Sequence, residues 1–300
     1  MAVYHKPVLL NESIDGLCIR PDGTYVDVTF GGGGHSGAIL ERLTTGRLFA
    51  FDQDADALPN VPVDDRFVFI PFNFRLLQDA LHARGVDSVD GVLADLGVSS
   101  HQFDEADRGF SFRFDAELDM RMDRNQSLTA RDVVNYYPEE VLSRILKTYG
   151  ELPNHRRVAS AIVQARTERA IDTTGQLIES VGRMVPPAAE KTFQAKLFQA
   201  LRIEVNDELA ALRELLLQAA SIIRTGGRLV VISYHSLEDR LVKDFIRSGN
   251  FEGEVNRDFF GNQTGISFKP LNRKPITASA DEQIENPRSR SAKMRIAERT

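Results

Sequence analysis

Residues 25–38 read Tyr-Val-Asp-Val-Thr-Phe-Gly-Gly-Gly-Gly-His-Ser-Gly-Ala, and this stretch decides the fold. An apolar, β-branched run precedes four glycines, and a helical pattern opens at Ile39, so the predicted order is strand, glycine turn and helix. Glycines permit positive φ angles and bring unpaired N–H groups against a ligand, while the helix dipole favours negative charge at that point. We expect the loop to hold a small anionic or zwitterionic ligand.

The spacing of this loop leaves the ligand open. Gly32, Gly34 and Gly37 satisfy the dinucleotide fingerprint, and Asp52 ends a second predicted strand 20 residues after Gly32, where a ribose-binding carboxylate belongs. A nicotinamide dinucleotide and S-adenosylmethionine both carry such a ribose. A phosphate-binding P-loop fits less well because His35 stands where lysine is required. A tight turn that binds nothing is the remaining structural interpretation.

The composition is that of an ordinary globular protein. The 300 residues are 42% hydrophobic and 27% charged, enough for two domains or one domain with an insertion. Cys18 is the single cysteine, which excludes an intramolecular disulfide, and the histidines lack paired ligand spacing, so we expect no metal. Residues 1–12 do not resemble a signal peptide and no apolar stretch is long enough to cross a bilayer, which predicts a cytoplasmic enzyme without a membrane partner.

Charge is distributed unevenly along the chain. The net charge is −6, yet residues 269–300 hold eight basic residues against four acidic ones, whereas residues 1–100 hold seven against fourteen. A polyanion is therefore expected to meet the later part of the chain.

Strand and helix patterns alternate in the first hundred residues. Strands predicted at 25–30, 48–51, 67–70 and 89–96 indicate a doubly wound, mostly parallel α/β sheet with ligands at the carboxyl ends of its strands. Helical spacing then predicts an all-helical insertion at 105–205, set into a sheet domain made of 1–104 and 206–300. A helix stopped by the glycines at 226–227, a buried strand at 228–233 and an antiparallel pair at 265–268 and 293–297 complete the predicted sheet.

Candidate chemistry follows two of these strands. Asp95 ends the fourth strand, at the switch point of a doubly wound sheet, where a carboxylate could accept hydrogen bonds from an amine. A turn-capping role before Gly97 is the alternative. His235 and Ser236 follow the fifth strand; Ser236 with Asp239 fits a capping box, which predicts a helix start and is compatible with a functional role at the same sheet edge.

Two basic stretches suit RNA. Phe110, Phe112 and Phe114 alternate with Ser111 and Arg113, a pattern that serves base stacking and phosphate contacts or, equally, an amphipathic strand with a buried Phe face. Residues 286–293, which include Arg288 and Arg290, form a short, basic, hydroxyl-rich segment that could contact phosphates or be a solvated loop.

Taken together, these stretches resemble the ribosomal RNA small subunit methyltransferase H family. The matching blocks run from one end of the chain to the other: 5–10, 27–36, 52–54, 95–100, 108–112, 118–122, 198–206, 234–240 and 286–290. The resemblance implies a class I, Rossmann-like methyltransferase that uses S-adenosylmethionine to methylate the N4 amine of a cytidine. It also implies a target in the decoding region of 16S rRNA, within the small ribosomal subunit, and a helical insertion that helps to grip RNA.

The resemblance further implies a cofactor site made by Gly33, Gly34, His35, Asp52, Phe74, Asp95 and Gln102. The loop would meet the methionine end, Asp52 the ribose and Phe74 the adenine, with Asp95 catalytic. We assign the RNA contacts to Arg113, His235, Ser236, Arg288 and Arg290. The stretch after Asp95 lacks the Pro-Pro-aromatic sequence of many amino-methyltransferases, so the residue that stacks on the cytosine must come from elsewhere. Two other classes stay open: a nicotinamide-dependent oxidoreductase and a non-catalytic RNA-binding module.

Overall fold

The computed structural model describes residues 7–182 and 184–300, so His5 and Lys6 of the first matching block lie outside the described residues. The chain divides into two compact units. The first unit consists of Met1–Gly97 and Leu209–Thr300, and the second of Val98–Glu208.

A seven-stranded sheet forms the first unit, with the strand order β3-β2-β1-β4-β5-β7-β6. Strands β1 to β5 are mutually parallel, and β7 is antiparallel to both of its neighbours. The strands are β1 Thr24–Asp27, β2 Arg47–Phe51, β3 Phe67–Ile70, β4 Val89–Asp95, β5 Ile223–Ser233, β6 Phe268–Pro270 and β7 Lys293–Arg299. Helices are numbered in chain order, and those of this unit are α1 Leu10–Leu17, α2 Gly34–Arg42, α3 Leu77–His82, α10 Glu208–Ile222, α11 Ser236–Ser248 and α12 Ala280–Glu285.

Alternate residues of the central strands supply two hydrophobic cores, one on each face of the sheet. Leu229 and Val231 of β5 pack with residues of α3, α10 and α11, whereas Val230 and Ile232 pack with residues of α1 and α2. Central strands buried on both faces are typical of parallel α/β sheets. This explains why the apolar runs of the sequence, rather than a polar alternation, mark the strands.

The second unit contains the helices α4 Ser100–Asp104, α5 Ala130–Tyr136, α6 Glu139–Thr148, α7 His155–Glu168, α8 Thr174–Val181 and α9 Glu190–Asn206. Val134, Leu146, Ile162 and Leu201 belong to its own core. The unit begins before the predicted insertion of 105–205 because Val98 already packs on this core, and it ends slightly later because α9 runs on to Asn206.

The predicted boundaries at the α10–β5 junction and at β6 were wrong. The helix predicted to stop at residues 226–227 ends at Ile222, and β5 begins at the next residue. The pairing of β5 with β4 shifts register between Val89 and Gly91 of β4, and Gly226 in this part of β5 has a positive φ. The last strand pair is antiparallel as predicted, but β6 lies at Phe268–Pro270 rather than 265–268.

Candidate active site

The glycine loop joins β1 to α2 and ends in an uncapped helix. Gly31 and Gly33 have φ angles of 50° and 76°, a region that side-chain-bearing residues rarely adopt. Gly33 is the N-cap of α2, and no side chain caps the helix there. A Cβ on Gly34 would lie 2.2 Å from Cγ of Pro7, so the proline packs where a side chain would stand. The loop therefore offers the N–H groups of a helix start to an anionic group.

His35 is the second residue of α2 and is buried. Its Nε2 lies 3.0 Å from the carbonyl oxygen of Val8, and because a carbonyl only accepts, Nε2 carries a hydrogen and donates it. Its Nδ1 lies 3.8 Å from Oδ2 of Asp95. The predicted loop residues Gly33, Gly34 and His35 therefore lie at the same sheet edge as Asp95.

Asp52 follows β2 and has two backbone partners. Its Oδ2 accepts a 2.7 Å hydrogen bond from the N–H of Gly31, and its Oδ1 accepts a 2.9 Å bond from the N–H of Asp54. Burial raises the pKa of the Asp52 carboxyl to about 6, although these two bonds oppose the rise. Asp54 and Asp27 raise it further by charge repulsion. A carboxylate oxygen has a second lone pair, so Asp52 can also receive hydroxyl groups of a ligand.

Phe74 opens a 3-10 helix just after β3, the strand that pairs with β2. The ring is half-buried and packs against the hydrophobic core beside the sheet. The amide of Asn73 donates a 2.7 Å hydrogen bond to Oε1 of Gln53, which ties this turn to the segment that follows Asp52. Phe74 and Asp52 thus stand at the carboxyl ends of neighbouring strands, as their predicted roles require.

Asp95 is the last residue of β4, and it is close to groups from three other segments of the chain. Its Oδ1 accepts a 2.7 Å hydrogen bond from the hydroxyl of Tyr234, and its backbone N–H donates to Oγ1 of Thr29 at 2.7 Å. Burial raises the pKa of its carboxyl to about 6, opposed by His35 and by the Tyr234 hydrogen bond. The carboxylate is directed to Tyr234 and His35 and makes no hydrogen bond to the turn at Gly97, so the turn-capping alternative is wrong.

The sequence did not predict that Tyr234 contacts Asp95. It stands directly after β5, the strand next to β4, and Asp95 is 139 residues away in the chain. Its position could have indicated this contact, because Tyr234 carries a hydroxyl group and lies at the carboxyl end of β5, the neighbour of the strand that ends at Asp95.

Of the residues predicted to contact RNA in this unit, His235 has a structural role. It caps α11: its Nδ1 accepts a 3.4 Å bond from the N–H of Glu238, and its Nε2 lies 3.1 Å from Oε1 of Glu238. The predicted helix start is confirmed, but the predicted capping pair of Ser236 and Asp239 was wrong by one residue. Ser236 is exposed in the first turn, and Asp239 instead accepts a 2.6 Å bond from Arg295.

Arg288 and Arg290 lie on a 3-10 helix, Pro287–Ser291, that leads into β7. Arg290 is exposed and Arg288 is half-buried. The side chain of Asn286 caps this helix by accepting a hydrogen bond from the N–H of Arg288. The segment is thus a short ordered turn rather than an irregular solvated loop.

Gln102 and Arg113 belong to the second unit. Gln102 is buried, and its Oε1 accepts a 3.0 Å hydrogen bond from the N–H of Ser99 in a capping box at the start of α4. Arg113 is exposed in a turn.

The segment 110–114 is not a strand, and its aromatic residues differ in burial. Phe110 is buried in the core, and Phe112 packs edge-on against Phe198 with ring centroids 5.6 Å apart, whereas Phe114 is 48% exposed. Arg108 is also buried, where it donates to the carbonyl oxygens of residues 121 and 122. Most of this stretch therefore serves the core of the second unit.

The fold and the site define the class of the protein. Five parallel strands in the order 3-2-1-4-5, followed by an antiparallel β7 between β5 and β6, form the sheet of class I methyltransferases. The glycine loop after β1, Asp52 after β2 and Asp95 at the end of β4 stand at the carboxyl ends of these strands, around its switch point. Among the residues that the structure describes, no helix is long and apolar enough to cross a membrane.

Comparisons with known proteins identify the family. The model of the MraW methylase family matches residues 2–300, and the chain belongs to that family. Proteins named ribosomal RNA small subunit methyltransferase H are similar to this chain. The protein of Phocaeicola vulgatus is 56% identical over 99% of this chain and 98% of its own length. The protein of Amoebophilus asiaticus is 52% identical over 100% of this chain and 97% of its own length. A solved rRNA methylase from Streptococcus thermophilus has a TM-score of 0.43 at 11% identity, covering 96% of this chain and 94% of that one.

The chain is thus an S-adenosylmethionine-dependent methyltransferase. The nicotinamide-dependent oxidoreductase is not supported, because the family is one of methylases and the sheet carries the antiparallel β7.

Proposed function

We propose that this enzyme transfers a methyl group from S-adenosylmethionine to the N4 amine of a cytidine in the decoding region of 16S rRNA. Relatives that are more than half identical over nearly the full chain carry the name ribosomal RNA small subunit methyltransferase H, which supports rRNA as the substrate. The resemblance of the sequence to that family supports the N4 position and the decoding region as parts of this proposal. Small ribosomal subunits in the cytoplasm are then the physiological substrate.

The observation that carries this proposal is the environment of Asp95. The N4 lone pair of cytosine is delocalised into the ring, so the amine needs a hydrogen-bond acceptor more than a strong base. An ionised carboxylate is an acceptor only, and that of Asp95 is held at the end of β4 by a hydrogen bond from Tyr234 to Oδ1, while Oδ2 faces His35. Its pKa of about 6 leaves it ionised at neutral pH, yet basic enough to take a proton from a methylated amine.

The residues of the first unit fit the cofactor in charge and hydrogen bonding. S-adenosylmethionine, when bound, supplies an electrophilic methyl group on a sulfonium. The uncapped start of α2 at Gly33, Gly34 and His35 suits the carboxylate of its methionine end, and the acceptor oxygens of Asp52 suit the ribose hydroxyls. The half-buried ring of Phe74 would pack on the adenine, and Gln102 is assigned to the same site through the family resemblance.

RNA recognition is assigned to exposed cations of both units and to the helical unit as a whole. Arg113 and Arg290 are exposed and Ser236 stands in the first turn of α11, so these side chains can reach phosphates; Arg288 and His235 would contribute from half-buried positions. The target cytidine must leave its stack to expose its amine. Proximity to the donor then allows in-line displacement without a separate activation step.

Transfer of labelled methyl groups tests the proposal. Small subunits from a strain that lacks this protein are incubated with the purified enzyme and methyl-labelled S-adenosylmethionine, and the rRNA is digested to nucleosides. Label in N4-methylcytidine is the expected result. Label in another nucleoside would overturn the N4 assignment, and transfer to naked 16S rRNA but not to subunits would overturn the assembled subunit as substrate.

A further inference from the structure

Tyr234 points its hydroxyl group at the carboxylate of Asp95, and no other tyrosine among the described residues does so. The O–H donates to Oδ1 at 2.7 Å. The residue is itself fixed at its backbone, where its N–H donates to Oε2 of Glu238 at 2.8 Å. Its ring packs against the turn after β4, since a Cβ on Gly97 would lie 3.4 Å from Cδ2 of Tyr234. Tyr234 is therefore a rigid donor aimed at one oxygen.

The two oxygens of Asp95 have different neighbours. Oδ1 is bound by Tyr234, whereas Oδ2 faces Nδ1 of His35 at 3.8 Å, beyond hydrogen-bond distance. The strand end is fixed as well, because the backbone N–H of Asp95 donates to Thr29. Oδ2 is thus the oxygen whose hydrogen-bonding capacity is left for a ligand.

We propose that Tyr234 is a positioning residue for methyl transfer: its hydroxyl holds Oδ1 of Asp95 so that Oδ2 accepts the hydrogen of the substrate amine. This inference rests on the proposed function. In the step, the amine nitrogen forms a bond to the methyl carbon while the bond from that carbon to sulfur breaks. The proton released from the nitrogen goes to Oδ2 of Asp95.

The chemistry of Tyr234 excludes a role as the proton acceptor. Burial and the nearby Asp95 raise the pKa of the phenol well above 10, so the hydroxyl stays protonated and can only donate to the carboxylate. The charged and titratable groups around Asp95 are His35 of α2, Asp27 of β1 and Glu238 of α11, and Glu282 of α12 acts on Tyr234. His35 and the hydrogen bond from Tyr234 favour the ionised form of Asp95, whereas Asp27 and Glu238 oppose it.

The Tyr234→Phe variant tests the inference, with Tyr25→Phe as the matched control. Tyr25 is buried in β1 of the same unit, and its hydroxyl is hydrogen-bonded to the backbone at Arg20 and Cys18. In Tyr234→Phe we expect the single-turnover rate to fall by about tenfold, with the affinity for S-adenosylhomocysteine unchanged. The acid limb of its pH–rate profile should move to higher pH, because a hydrogen bond to the ionised carboxylate is lost.

A measurement on the protein without cofactor gives a second readout. The ¹³C carboxyl resonance of Asp95, assigned by its loss in Asp95→Asn, should titrate at higher pH in Tyr234→Phe than in the wild type and Tyr25→Phe. In the Asp95→Asn background, adding Tyr234→Phe should change the rate less than twofold, since the hydroxyl acts through the carboxylate.

An unchanged titration and pH profile in Tyr234→Phe, while the wild type forms N4-methylcytidine, would overturn the positioning role alone. A full tenfold loss in the Asp95→Asn background would also overturn it, because Tyr234 would then act independently of Asp95. Failure of the wild type to form N4-methylcytidine would instead overturn the proposed function, so the two failures are distinguishable.

Discussion

Replacing Asp95 with asparagine is expected to make the protein more stable and less active at the same time. Burial raises the pKa of this carboxyl from its ordinary value of 3.8 to about 6, so the folded state holds the ionised form at a cost. The side chain is 22% exposed, and the rise corresponds to at most about 3 kcal/mol of unfolding free energy. Asparagine has no charge to bury and keeps an oxygen that can accept from Tyr234.

The pH dependence of this gain has a definite sign. Below pH 3.8 the carboxyl is protonated in both the folded and unfolded states, so its burial costs nothing. The cost appears as pH rises through the interval from 3.8 to about 6 and is complete above it. The gain from Asp95→Asn should therefore reach at most about 3 kcal/mol near pH 7.5, and it should be about half of its full size at pH 5.

Chemical denaturation of the wild type and Asp95→Asn at these two pH values measures the difference. Methyl transfer by the variant should fall about a hundredfold or more, with binding of S-adenosylhomocysteine retained. A variant that is less stable than the wild type at pH 7.5, or a gain that grows as pH falls, would refute the reasoning that burial of the charge raises this pKa.

Three further predictions concern the cofactor loop and the RNA contacts. Asp52→Asn should weaken S-adenosylhomocysteine binding at neutral pH by about tenfold, and wild-type affinity should fall below pH 6 as the carboxyl gains its proton; calorimetry that shows no change would contradict this. Gly34→Ala should cost about 1 to 3 kcal/mol of stability because its Cβ would lie 2.2 Å from Cγ of Pro7. The control Gly37→Ala meets open space inside α2, and it should melt slightly above the wild type because alanine favours a helix more than glycine does. Equal melting temperatures for the two variants would be the opposing result. The double variant Arg288→Ala/Arg290→Ala should bind rRNA more weakly, and the slope of log affinity against log salt concentration should fall by an amount that corresponds to up to about two phosphate contacts. An unchanged slope in filter binding would show that these two arginines do not contact the RNA.

Local sequence patterns predicted most of the sheet and the helical unit. The strands at 48–51 and 67–70 agree with β2 and β3 to within one residue, because short apolar runs buried on both faces resemble little else. The α10–β5 junction was misplaced because the glycines at 226–227 lie in a register-shifted strand entry and not in a helix stop. Glycine with a positive φ occurs both at helix ends and in irregular strands, and only the pairing with the neighbouring strand distinguishes the two cases.

The site was less predictable where contacts join distant segments. Asp95 and Asp52 follow strands and could be placed by topology alone. The Tyr234 contact to Asp95 spans 139 residues, and no local pattern reports such a distance. Arg108 is a charged residue that is nevertheless buried, because backbone carbonyls accept hydrogen bonds from its guanidinium, and composition does not predict this rare arrangement. His235 was missed as a helix cap because histidine seldom fills that role.

The role of Asp95 in N4 methylation is tested most directly by single-turnover methyl transfer with small subunits and saturating S-adenosylmethionine, in which N4-methylcytidine is quantified for the wild type and Asp95→Asn. We expect N4-methylcytidine as the product of the wild type and a rate about a hundredfold or more lower for the variant, although the variant still binds S-adenosylhomocysteine. Equal rates for the two proteins, or a methyl group on any atom other than N4, would contradict it.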